Sequence, residues 1–374
     1  MKYSIKIARI KGIPINVHVS FLFIFLLFAV ILSIQTFNFQ GIRIGFGEID
    51  APVFMRWILG VITAITLFFF LFLHELAHSL VSISLGYRVK EITFFLLGGV
   101  SNSEGFPEDP TQELKIAAIG PVVSLGIGGM FMLSNQLVYL AAPSPDGPLL
   151  FLVIFLGSLG FYNILIGLFN LIPAFPLDGG RILRSLLGYG MDHRKATIRA
   201  AQTGKVVAVI LGIVGLIIFN LILIFIAVFI YMGAKSEKDM TETMGSLEGL
   251  KVKDIMSKHP GNIAATASLE DVRRKMIKNK RAALIVKRDG GIMGIVTAQG
   301  IKGVPKEERG MKSAKDIMEK DYIKADPGDE GAGTWKQMIR KGKDRVVVTR
   351  KGKVLGMASQ KDFVNMVKIR SLFR

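Results

Sequence analysis

Residues 66–85 read TLFFFLFLHELAHSLVSISL. Apart from His74, Glu75 and His78, every residue there is apolar or carries a small hydroxyl. About 20 such residues are what a helix needs to cross the hydrocarbon core of a bilayer. Three ionisable side chains at that depth cost several kcal/mol unless they are buried in protein and paired. On a helix, positions four apart share a face, so the two imidazoles reach one metal ion with Glu75 beside them. Glu75 is then placed to take a proton from a metal-bound water, whose pKa the ion lowers toward neutrality. The competing reading is a polar cluster that merely caps the helix at its cytoplasmic end. The apolar residues on both sides leave no solvated face to support it.

Working outward, five further apolar stretches complete a polytopic α-helical membrane fold of about six spans. Val17–Ile34 is the first, Phe54–Leu85 contains the motif, and Leu114–Leu133 and Leu149–Ile172 follow. The run from Thr197 to Met232 is too long for one crossing, and a tight turn near Phe219 and Asn220 divides it into two. Basic residues support this count, because cytoplasmic loops carry the excess of Lys and Arg. Lys2, Lys6, Arg9 and Lys11 precede the first span, while 134–148 has no basic residue. Six crossings put both termini in the cytoplasm, which predicts a multi-pass protein of the cell membrane. Met1–Gly12 alternates like a strand and is not expected to be a cleaved signal. Val89–Glu104 alternates and is rich in glycine, so it predicts small strands at the cytoplasmic face.

The chain is 374 residues long, 51% hydrophobic, and carries a formal net charge of +18. From 235 onward there are 32 Lys/Arg against 18 Asp/Glu, so the basic character sits in the last third. That pattern fits a solvated domain beside anionic headgroups, with the lipid bilayer as partner. The aromatic and glycine signatures of RNA modules are absent, and no nucleic-acid partner is expected. There is no cysteine. Disulfides are excluded, and a metal must be held by His, Asp, Glu or Asn.

A catalytic zinc needs a third protein ligand beyond His74 and His78. The membrane-proximal candidates are Asp178, Glu91, His18 and His193. Asp178 closes the segment Asn170-Leu-Ile-Pro-Ala-Phe-Pro-Leu-Asp178-Gly-Gly-Arg181 just after the fourth span. Its prolines break the helix and its glycines admit close backbone approach. It also falls on the same side as the histidines, which makes it the strongest of the four. A helical His-Glu-x-x-His motif followed about a hundred residues later by this segment resembles the site-2 protease family of intramembrane zinc metalloproteases. Gly120-Pro121 resembles a further family element. The resemblance covers residues 1–235. It implies Zn2+ held by His74, His78 and Asp178, Glu75 as general base, and transmembrane segments of other proteins as substrate. It also implies a role for Asn170 near the scissile carbonyl, where its amide either stabilises the oxyanion or bonds freed backbone near Pro173. No loop is long enough for the periplasmic PDZ insertion of some relatives.

After a charged linker, 236–250, the chain repeats itself. Lys253-Asp-Ile-Met256 recurs as Lys315-Asp-Ile-Met318, and Gly294-Ile-Val-Thr297 as Gly356-Met-Ala-Ser359, both offset by 62. Two α+β units, 251–311 and 312–374, are predicted to pack together. They resemble a tandem CBS module, which implies an adenine nucleotide such as ATP in the cleft, with Thr297, Ser359 and Asp362 as contacts. Gly300 stands where the first copy would carry the acid, so at most one good nucleotide site is expected. The alternative is a structural module for docking or for a homodimer. For the whole chain, the rivals to a protease are a CBS-gated transporter and a metal-binding scaffold without activity.

Overall fold

The structure is a computed structural model, and it describes residues 4–95, 98–103, 107–288 and 291–372. It divides into two compact units, Met1–Lys238 and Asp239–Arg374.

The first unit opens with β1 (Ser4–Ile10), β2 (Ile13–His18) and α1 (Val19–Ile34). A short hairpin, β3 (Phe37–Phe39) and β4 (Ile42–Ile44), precedes α2 (Val53–Ser84). The strands expected from Val89–Glu104 follow as β5 (Val89–Phe95) and β6 (Gly98–Ser103); residues 96, 97 and 104 of that stretch lie outside the described residues. Then come α3 (Pro110–Ala141), α4 (Gly147–Asn170), α5 (Asp178–Gly188), α6 (His193–Ile217) and α7 (Leu221–Leu247). Four of these helices, α2, α3, α4 and α6, are long and apolar enough to cross a membrane. Helix α1 is apolar but shorter, and α7 is apolar only to Met232. The turn foreseen near Phe219 and Asn220 separates α6 from α7, with Phe219 at φ 53°.

Local chemistry explains the ends. Helix α3 starts early because Asp109 accepts a hydrogen bond from the Thr111 amide and Pro110 occupies the first turn, where its missing N–H is harmless. The stretch 236–250, read as a linker, is instead helical through Leu247. Met244 and Leu247 pack into the core of the second unit, and that burial holds the last turns of α7 in register.

A four-stranded sheet of order β1-β2-β5-β6 joins the two separated strand segments. Strand β2 runs parallel to β5, pairing Ile15 with Ile92 and Val17 with Phe94. Its buried face, Ile13, Ile15, Ile92 and Phe94, packs on Leu71, Phe72 and Leu76 of α2. The sheet is thereby fixed to the helix that carries the His-Glu-x-x-His motif, with β6 at its edge.

Between α4 and α5 the chain turns through residues 171–177. Cβ atoms at Gly179 or Gly180 would strike the backbone of that turn, the latter lying 2.5 Å from the Phe175 nitrogen. The turn is held from behind by α6 and α7. Ala174 is 3.2–3.3 Å from where a Cβ at Gly204 would lie, and Pro176 packs on Gly233. Helix α5 is further clamped by Arg184, which is 6% exposed and reaches Glu113 of α3 at 2.5 Å and Glu237 of α7 at 2.6 Å. Glu113, 1% exposed, has its desolvation offset by that bidentate contact.

The second unit contains α8 (Val252–Ile255), β7 (Ser257–Lys258), β8 (Asn262–Ala264), α9 (Leu269–Lys278), β9 (Ala283–Arg288), β10 (Gly291–Thr297) and α10 (Ala298–Lys302). The second copy supplies α11 (Ala314–Ile317), β11 (Ile323–Ala325), α12 (Gly331–Arg340), β12 (Arg345–Arg350), β13 (Lys353–Ser359) and α13 (Gln360–Ser371). The 62-residue offset holds in space: α9 matches α12, β9 matches β12 and β10 matches β13. The copies also exchange edges. Ser257 of the first pairs with Met357 of the second, while Glu319 of the second bridges to Ile295 of the first. Ile285 and Ile295 meet their counterparts Val347 and Met357 in one shared core.

Candidate metal centre

His74 and His78 lie one turn apart on α2, 2% and 6% exposed. Asp178 occupies the first turn of α5. The three converge: Asp178 Oδ2 is 3.3 Å from His74 Nε2 and 3.1 Å from His78 Nε2, and the two Nε2 atoms are 3.2 Å apart. Among the described residues, this is the group of His, Asp and Glu side chains placed to hold a metal ion. The other three third-ligand candidates lie elsewhere. His18 bonds Ser20 at the start of α1, Glu91 accepts from Asn16 within the sheet, and His193 begins α6.

The far side of each imidazole is also occupied. His78 Nδ1 donates to the Ile116 carbonyl at 2.6 Å, so its Nε2 carries the lone pair that faces the cluster. His74 Nδ1 is 2.8 Å from Ser124 Oγ. Such outer contacts set tautomer and ring orientation in metal sites. Two imidazole nitrogens and a carboxylate oxygen so close together, with little water near, repel one another unless a metal ion or a proton sits between them. A tetrahedral zinc bound at about 2.0–2.1 Å keeps its ligand atoms about 3.3 Å apart, and the observed 3.1–3.3 Å fits that figure.

Helix α3 supplies the second half of the cradle. Ile116, Gly120 and Ser124 are spaced by four and share one face, which is turned toward the histidines. A Cβ at Gly120 would fall on His78 Nε2 and 2.6 Å from His74 Nε2. Glycine is therefore the residue that leaves room there for an ion. On the opposite flank, a Cβ at Gly99 of β6 would lie 2.7 Å from the Glu75 carboxyl carbon. The edge strand thus passes directly over the Glu75 side chain, which is itself within electrostatic reach of His78, Asp178 and Arg181.

The sequence signals for these partners were unequal. Gly120-Pro121 was visible as a motif. Ile116 and Ser124 were not, because a carbonyl and a lone serine in a span carry no pattern until their spacing from Gly120 is known to face a metal.

Asn170, at the end of α4, donates its amide to the Ile166 carbonyl of its own helix at 3.0 Å. In the second unit, Thr297 accepts from the Gly300 amide and lines a narrow cleft of about 30 Å³ that both copies build. Asp321 in that cleft has its carboxyl held below the usual range by a hydrogen bond from Lys343. Ser359 and Asp362 are not among the residues lining it. They bond each other at 2.7 Å as the cap of α13.

Against this geometry the comparisons are consistent. A zinc metalloprotease of Methanocaldococcus jannaschii is 33% identical over 374 residues, covering 100% of this chain and 98% of its own. The chain belongs to peptidase family M50. The description "Peptidase family M50" matches residues 146–214, and "CBS domain" matches 252–305 and 314–368. The Rip3 protein of Mycobacterium tuberculosis is 30% identical over 387 residues, 100% of this chain and 95% of its own. A solved site-2 protease from M. jannaschii is 34% identical, covers 63% of this chain and 95% of its own, and has a TM-score of 0.43. The M50 member described here is therefore a metalloprotease with membrane-spanning helices and a tandem CBS module.

Gly120→Ala is expected to lose bound zinc, because its methyl group occupies the space between the two histidines. Gly126→Ala, on the same helix with nothing within 4 Å, is expected to retain the wild-type content. Elemental analysis of the two purified variants checks this, and equal zinc in both would show that Gly120 does not bound the metal pocket.

Proposed function

We propose that this M50 protein hydrolyses peptide bonds inside transmembrane segments of other membrane proteins, with zinc held by His74, His78 and Asp178 and Glu75 as the general base. The observation that supports this most is the convergence of the three ligand atoms within 3.3 Å, two on the apolar helix α2 and one at the start of α5, beside the edge strand β6. Zinc bound there would supply a Lewis acid for the scissile carbonyl and lower the pKa of water.

The side chains divide the remaining work. Glu75 accepts a proton from the attacking water at its carboxylate and returns it to the leaving amide nitrogen. Helices α2 and α3 shield the centre so that these charges act in a low dielectric. Asn170 is read as a backbone support, since its amide already serves Ile166.

A transmembrane helix hides its peptide bonds in its own hydrogen bonds, so it must unwind before it can be cut. Each freed backbone group then costs several kcal/mol in an apolar setting unless it finds a partner. Among the described residues β6 pairs only with β5, so its other edge carries no strand. We infer that the unwound segment adds to β6 as a further strand, which satisfies its backbone and lays it across Glu75.

The termini and the CBS module are assigned to the cytoplasmic side of the cell membrane, from the placement of basic residues. The module is read as a regulator that binds an adenine nucleotide such as ATP and supports a homodimer. At about 30 Å³ the Thr297 cleft is far below the few hundred Å³ that such a ligand fills. The nucleotide is therefore assigned to the second copy, which keeps Ser359 and Asp362 after its last strand, where the first copy has Gly300 in place of the acid.

Glu75→Gln is expected to keep its zinc and lose cleavage of a transmembrane substrate by about 10²–10⁴-fold. Loss of zinc together with activity would instead make Glu75 structural, and zinc without cleavage in the wild type would favour the inactive scaffold.

Adjacent residues of a strand turn their N–H groups to opposite sides. Of Val100→Pro and Ser101→Pro, one is therefore expected to abolish cleavage at unchanged zinc content; full activity in both would exclude strand addition.

ATP is expected to shift the thermal unfolding of the full-length protein, and to do so less in Asp362→Asn. An identical melting curve with and without ATP would remove the nucleotide-sensor reading.

A further inference from the structure

The first CBS copy carries a feature that the nucleotide reading does not use. A depression of about 500 Å³ opens between α9, α10 and the segment around Arg309. Its floor is apolar, made by Met276, Ile301 and the side of Ile277. Ile277 remains 64% exposed, an unfavourable position for a large aliphatic side chain with nothing over it. The rim is basic: Arg273, Lys280, Arg281, Lys302 and Arg309. Arg273 is paired with Glu270, and Arg309 donates to the Val304 carbonyl. Among the described residues Lys280, Arg281 and Lys302 form no ion pair, so three cations face the opening uncompensated.

The internal repeat provides a control within the same chain. Shifting each position by 62 gives its counterpart in the second copy. Met276 and Ile277 become Met338 and Ile339, so the apolar part is a property of the fold. The rim is not. Arg273 becomes Trp335, Lys280 becomes Gly342, Lys302 becomes Val364 and Arg309 becomes Ser371, leaving Lys343 opposite Arg281 as the one basic survivor. The CBS architecture therefore does not require these cations, and they are concentrated on one copy.

An apolar floor inside a cationic rim is complementary to a surface that offers phosphate beside hydrocarbon. A second copy of this chain docked by two-fold symmetry would set the rim against itself, cation on cation. A small inorganic anion would leave Ile277 and the floor uncovered. The bilayer, by contrast, is always near, because the module continues directly from α7 and is tethered to the membrane-spanning unit by the chain itself. We propose that the Arg273–Arg309 face of the first CBS copy docks onto the anionic phospholipid surface of the membrane in which the protein resides, with Ile277 inserted among the headgroups and Lys280, Arg281 and Lys302 on lipid phosphates. This role is independent of both zinc and nucleotide.

The absence of cysteine makes the test direct. Ile277→Cys in the full-length protein takes one polarity-sensitive fluorophore, and Ile339→Cys provides the matched position in the second copy. Both are reconstituted into nanodiscs of phosphatidylcholine with or without phosphatidylglycerol. The emission at 277 is expected to shift to the blue only with phosphatidylglycerol, while that at 339 does not respond. The shift is expected to reverse in 1 M salt, where the screening length falls to about 3 Å. Replacing Lys280, Arg281 or Lys302 by Gln is expected to lower the docked-to-free ratio about fivefold each, from about 1 kcal/mol per basic residue at an anionic surface. The salt arm uses no charge variant, so it stands even where such a variant folds poorly. Equal emission at 277 in both lipids overturns the proposal. So does a shift produced by inorganic tripolyphosphate in neutral discs with no response to phosphatidylglycerol, which assigns the face to a soluble anion. A lipid-independent shift confined to discs holding two chains overturns it too, in favour of self-association.

Discussion

The membrane-spanning unit is organised around one electrostatic problem. Two imidazole nitrogens on the apolar helix α2 and a carboxylate oxygen at the start of α5 are held within 3.3 Å of each other. Without a cation that arrangement is repulsive and poorly solvated. Each surrounding element acts to hold it together. Helix α3 orients both rings from behind and leaves a gap at Gly120, the sheet on α2 brings β6 over Glu75, and the turn at 171–177 delivers Asp178.

The second organising constraint is backbone satisfaction. In hydrocarbon, irregular chain is tolerated only where protein or a water-lined cavity covers it. The turn before Asp178 obeys this: α6 and α7 cover it through Ala174 and Pro176, and the glycines at 179 and 180 let it fold back on α5. Under the proposed function the same constraint bears on the edge strand β6, since a substrate segment deprived of its helix would need partners for its own backbone.

The CBS module shows how a duplicated sequence becomes asymmetric. The two copies share strand order, exchange edges and merge their cores at Ile285, Ile295, Val347 and Met357. Their surfaces differ. Of the five rim cations around Ile277 only Arg281 has a basic counterpart at the matching position of the second copy, Lys343, and the acid after the last strand is present as Asp362 but is replaced by Gly300 in the first copy.

The sequence by itself determined the class of the protein. Apolar run lengths give the spans, the i, i+4 spacing of His74 and His78 gives the metal motif, and the 62-residue offset gives the module, because each is a local periodicity that needs no knowledge of neighbours. It also marked Asp178 as the strongest third ligand, from its side of the membrane and from the prolines and glycines around it. What it could not supply are contacts between segments far apart in the chain. The pairing of β2 with β5, the Ile116 and Ser124 partners of the histidines, the Arg184 clamp between Glu113 and Glu237, and the closeness of Gly99 to Glu75 have no sequence periodicity. Nor did the charged stretch after Met232 reveal its helix, since polar residues there look like a linker until Leu247 is seen buried in the second unit with Met244 packed against its core. Those features depend on which apolar faces meet, and only the tertiary structure decides that.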